Sequence, residues 1–161
     1  MRKILFPALL LLISAMTADA VPDKNATLEA IRVIESSKKG EGVVEALQVV
    51  LQFADESPDV VMLASPEAMP WFDEKWKLKK VESEAVKALL MASYSAGIIG
   101  HQLETGKADN SPYVGWLRVI ERYEVVKDVW KFESPGIKKL IALQKDGKLE
   151  AYAAKVSAKK N

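Results

Sequence analysis

His101-Gln102-Leu103-Glu104 sets an imidazole and a carboxylate three residues apart, which on a helix makes them surface neighbours. Further along, Glu121, Glu124 and Asp128 also recur at helical spacing. Carboxylates and histidines on facing helices hold two metal ions in helical di-iron proteins, through two Glu-x-x-His pairs and two more glutamates. Here the order is reversed and His101 is the only histidine. Solvated ion pairs on helix surfaces are the simpler reading of these charges. With one histidine and no cysteine, the chain has no ligand set for a zinc or copper site. It also has no thiol nucleophile, no disulfide and no iron–sulfur cluster.

Other catalytic patterns find as little support. No serine sits in G-x-S-x-G, and His101 would have to be the sole imidazole base of any triad. Glu82, Glu84 and Glu133 could be nominated for the two carboxylates of a glycosidase, but nothing in their surroundings sets them apart from surface charge. No catalytic residue and no cofactor is therefore assigned.

One stretch stands out for recognition chemistry. Residues 69–80 read MPWFDEKWKLKK, in which Trp71, Phe72 and Trp76 are followed or interleaved by Lys75, Lys77, Lys79 and Lys80. Aromatic rings beside lysines suit a membrane headgroup region or an acidic polymer, so these three aromatics are the ligand-binding candidates. The competing reading has the rings plug one end of the core while the lysines stay in water.

The elements that must position these residues are helices. Residues 1–20 form a leader: Arg2 and Lys3, an apolar run over 4–13, and Ala18-Asp19-Ala20 as a small-x-small cleavage site. That run falls short of the roughly 20 residues that span a bilayer. Cleavage leaves residues 21–161 as one domain of periplasmic or secreted location. Without Arg2, Lys3 and Asp19 the remainder holds 21 basic and 21 acidic residues. That balance gives no electrostatic case for nucleic acid.

Four Ser-Pro dipeptides, at Ser57, Ser65, Ser111 and Ser134, mark helix starts or turns, because serine caps free amides and proline lacks one. Gly40, Gly106 and Gly147 mark stops. Apolar spacing predicts helices near 27–39, 42–54, 81–106, 112–131, after Pro135 and from Leu149, with a short helix at 60–64 (a buried strand being the other reading) and an irregular stretch at 65–80. The long segment 81–106 is read as the central helix, facing the core with Val81, Ala85, Ala88, Leu89, Ala92, Ala96, Ile99 and Leu103. Its small residues, with Ala92, Ala96 and Gly100 recurring every four, invite close approach by the helix that follows. The same face pairing with a second copy is the other arrangement.

The residues together predict an all-α, single-domain bundle of about five to seven helices in antiparallel hairpins, following a cleaved signal peptide. No internal repeat of solenoid period is present. The expected role is a non-enzymatic exported domain that binds a protein, a peptide or an envelope component, including a membrane surface. A monomer is expected before a homodimer. The alternative is a small envelope enzyme or metal-binding bundle using His101 and nearby carboxylates.

Overall fold

Every residue from Met91 to Gly100 is buried, so this helix has no solvent face along its middle. The computed structural model describes residues 22–37 and 40–159. The leader expected over 1–20, Lys38-Lys39 and residues 160–161 of the basic tail lie outside those residues. The described chain is all-α, six helices packed as a single domain: α1 Lys24–Ser36, α2 Val43–Glu56, α3 Lys80–Thr105, α4 Tyr113–Trp130, α5 Pro135–Lys145 and α6 Leu149–Ala158.

The 26 residues of α3 make a rod of about 39 Å at 1.5 Å per residue. It packs against α1, α2 and α4, while α5 and α6 pack on α4. α3 and α4 run antiparallel. Arg122 reaches Ser93, Gly115 lies against Gly97, and Phe132, just past α4, meets Trp76, just before α3.

The close crossing has a specific cause. A Cβ on Gly97 would sit 3.2 Å from the Gly115 Cα and 2.7 Å from Arg118 Cγ. A Cβ on Gly115 would sit 2.6 Å from the Tyr94 ring and 2.9 Å from Ile98. The expected partner of the long helix is thus the one found, but Gly97 admits it. Gly100, in the row Ala92–Ala96–Gly100, faces Ile31 of α1 at an ordinary 3.6 Å. Two expected core positions are also corrected. Val81 and Ala85 are exposed, and Val86 takes the inward position.

Polar groups tie the apolar layers together. The Arg122 guanidinium, half-buried, donates to the carbonyls of Ile34 and Ser37 at the end of α1 and to Ser93 Oγ at 3.2 Å. It supplies the last turn of α1 with donors it lacks. Burial lowers the Arg122 pKa and Glu35 opposes that shift. The Tyr94 hydroxyl donates to the Leu63 carbonyl at 2.7 Å; its burial pushes the phenol far above the usual range, so it remains a neutral donor.

Helix ends follow local chemistry. Asp23 caps α1 by accepting from the Ala26 amide at 2.8 Å, and Gly106, at φ 66°, closes α3. Of the four Ser-Pro pairs, only Ser134-Pro135 is a full helix cap, accepting from Ile137 N. Ser57 closes α2 instead. Ser65 holds a single turn through Ala68 and Met69, and α4 begins after Pro112 without a side-chain cap.

Residues 60–64 form neither the short helix expected there nor a strand. The Gln102 carboxamide explains it: Oε1 accepts from Val61 N at 2.8 Å and Nε2 donates to Val61 O at 2.7 Å. A buried side chain thereby satisfies the backbone groups that a helix would have paired internally.

The glycine geometry generates a contrast. Gly97→Ala and Gly115→Ala are expected to lower stability by about 1–3 kcal/mol through overpacking. Gly100→Ala is expected to be neutral or to gain up to about 1 kcal/mol from helix propensity. Urea unfolding midpoints of the three variants check this.

Candidate functional site

The aromatic segment follows α2 and the irregular stretch held by Gln102, and it leads into α3. Its turns are closed by Phe72 N on Met69 O and Glu74 N on Trp71 O, which send successive rings in different directions. Trp71 has no exposed surface and packs edge-on against Tyr94, ring centres 5.7 Å apart. Its Nε1 is buried without a hydrogen-bond acceptor. Phe72 and Trp76 are half-buried at the surface. The Lys87 ammonium lies 5.8 Å from the centre of the Phe72 ring and 5.6 Å from that of Trp76.

Two of the three nominated rings are therefore close together, both facing Lys87, and the third lies inward. Trp76 packs on Phe132 at 4.7 Å, which itself meets Tyr123 edge-on. Glu74 fixes this corner with both oxygens. Oε2 accepts from Trp76 Nε1 at 2.8 Å, and Oε1 accepts from Gly136 N at 2.6 Å. A carboxylate on the first turn of α5 is well placed for the helix dipole. Sequence reading missed Glu74, since its partner is 62 residues away and no local pattern announces it. Lys75, Lys77, Lys79 and Lys80 project into solvent.

The acids nominated with His101 are dispersed. Because α3 and α4 are antiparallel and cross at Gly97 and Gly115, the start of α4 lies beside His101. Glu121, Glu124 and Asp128 follow toward the other end. Glu121 pairs with Arg118 at 3.1 Å and Glu124 with Lys127 at 2.6 Å. Among the described residues, no three of His, Asp and Glu are grouped as a metal ion would need.

His101 instead lines an open depression of about 280 Å³, with Gln102, Asp109, Ser111, Tyr113 and Glu150. Ends of three helices meet there: the last turns of α3 and the first turns of α4 and α6. Asp109 is exposed and held by its own loop, its Oδ1 accepting from Ser111 N at 3.0 Å while its carbonyl accepts from Gln102. The size is at the lower edge for a small-molecule site. Its chemistry is an imidazole, two carboxylates and a phenol, able to hydrogen-bond a small polar group. The contribution of Glu150 was not legible, since α6 lies far along the chain.

Comparison of the chain with protein-family models, with characterised proteins and with solved structures finds no match.

The different settings of the three rings generate a graded expectation. Trp71→Ala is expected to cost about 3–5 kcal/mol, the range for emptying a buried aromatic site. Phe72→Ala is expected to cost clearly less. Thermal unfolding followed by circular dichroism ranks them; equal losses would mean that Phe72 is as much a part of the core as Trp71.

Proposed function

We propose that this chain is an exported, non-enzymatic helical domain, periplasmic or secreted, that binds a protein or peptide partner. The observation supporting this reading is a set of valines left uncovered at one end of the α3–α4 pair. Val125 and Val129, four apart on α4, are 54% and 73% exposed, and Val81 in the first turn of α3 is 77% exposed. The antiparallel register brings the start of α3 beside the end of α4. Isolated exposed valines are ordinary, but apolar residues gathered at one place are characteristic of a protein-contact surface. Around them the surface is charged, with Glu124, Lys127 and Asp128 on the same helix, the polar rim such contacts usually have.

The alternative, a small envelope enzyme or metal-binding bundle using His101 and nearby carboxylates, draws on the depression beside His101, although among the described residues no three ligands are grouped for a metal ion. It requires a rise in melting temperature with manganese or iron that disappears in His101→Ala. No rise in the intact protein would end the metal-binding form of that reading.

A photo-crosslinking residue at position 129, introduced in the native host, tests the main reading. The expected result is one specific protein adduct, absent when the probe is at exposed Glu29 and lost when Val125→Glu accompanies the probe. Equal labelling at both positions, or none at 129, would refute a partner on this surface.

A further inference from the structure

The even charge of residues 21–161 conceals a division between the two outer hairpins. Residues 22–59, which contain α1 and α2, carry eight acids against four bases. Residues 131–159, which contain α5 and α6, carry seven lysines against three acids. The acidic hairpin packs on α3 and the basic one on α4, and the two do not touch. The molecule is thus charge-polarised across its α3–α4 layer.

The basic hairpin has a distinctive outer surface. On α5, Lys138, Ala142 and Lys145 follow one another along one exposed stripe; on α6, Lys148, Ala151, Lys155 and Lys159 do the same. Ala154 and Ala158 are exposed between these lysines. Lys139 joins the two helices, its Nζ 3.2 Å from the Tyr152 hydroxyl and 4.8 Å from the centre of that ring. Only two of these lysines are neutralised, Lys138 by Glu133 and Lys148 by Asp146. Among the described residues, Lys145, Lys155 and Lys159 meet no carboxylate. Glu150, the remaining acid, belongs to the depression beside His101.

We propose that the α5–α6 hairpin is a docking face for an anionic phospholipid bilayer. Alanines between the lysines leave no tall side chain to hold a flat surface away, and lysine stems can lie along it while their ammonium groups meet phosphates. Clusters of four to eight basic residues on a helical surface are the usual sequence form of attraction to anionic lipid. Lysine supplies point charges without the fork that arginine uses for one fixed phosphate, which suits a fluid array of headgroups. The acidic α1–α2 hairpin is repelled by the same surface, so the polarity sets which side approaches. The proposal depends on the binding-domain reading only for placing the chain where it meets a membrane.

Flotation of the protein as isolated from its host, with vesicles of phosphatidylcholine alone or mixed with phosphatidylglycerol, tests the face. Binding is expected to be stronger by at least about tenfold on the anionic vesicles and to weaken as salt is raised. It should fall to the phosphatidylcholine level in Lys145→Glu/Lys155→Glu/Lys159→Glu. Since these lysines are exposed and unpaired, the variant should melt like the parent. Equal binding to both vesicle types would assign adhesion to apolar contact and overturn the proposal, as would full binding by the triple variant. Tighter binding to a DNA duplex than to the anionic vesicles would overturn it in favour of nucleic acid. Val125→Glu should leave flotation unchanged while removing the partner crosslinked from position 129, so that each reading can fail separately.

Discussion

The approach of α3 to α4 at Gly97 and Gly115 is the constraint on which the other helices depend. Two backbones meet there with no side chain between them, and helices normally pack 8–10 Å apart according to what separates them. With α4 drawn in, the Tyr94 ring lies against Gly115 and its hydroxyl is carried to the Leu63 carbonyl. Trp71 packs on that ring, and Trp116, one residue beyond Gly115, donates its indole N–H to the Ala68 carbonyl at 2.6 Å. A short interhelical distance is thus converted into the placement of the whole irregular segment between α2 and α3.

Polar side chains then act where the helices cannot reach each other. Arg122 extends from α4 past Ser93 to the end of α1, joining three helices through one guanidinium. Lys24, at the opposite end of α1, donates to the Leu103 carbonyl at 2.9 Å near the end of α3. The first helix is consequently held at both ends by cations from or to its neighbours, while Ile31 and Ile34 fill the space between. Burying a charged donor is costly unless carbonyls receive it, and the two helix ends offer unpaired carbonyls.

The helices were legible because their signals are local. Apolar periodicity located all six, and Gly106 stopped the longest one where its positive φ lets only a residue without Cβ sit easily. What was not legible was set by partners far along the chain. Val60 to Ala64 has the composition of a short helix or buried strand, but its Val61 backbone groups are taken up by Gln102, 41 residues away. A serine before proline looks the same in sequence whether it caps a helix, ends one or holds a turn, since the outcome depends on whether the next residues find a core. Likewise Trp71, Phe72 and Trp76 are alike in type, and tertiary packing alone separates the buried ring from the two beside Lys87. The ends of α3, α4 and α6 that surround His101 meet only in three dimensions, so neither Asp109 nor Glu150 could be linked to it beforehand.

Gln102 has a consequence for the order in which the chain assembles. Its carboxamide holds Val61 on one side and the Asp109 carbonyl on the other, so a single side chain secures two connecting segments at once. Neither segment can reach its final path before the last turns of α3 exist. Local opening of that helix end would release both together. The two connections therefore form one cooperative unit spanning distant parts of the sequence, and their amides should exchange with solvent at a common rate although the helices beside them exchange independently.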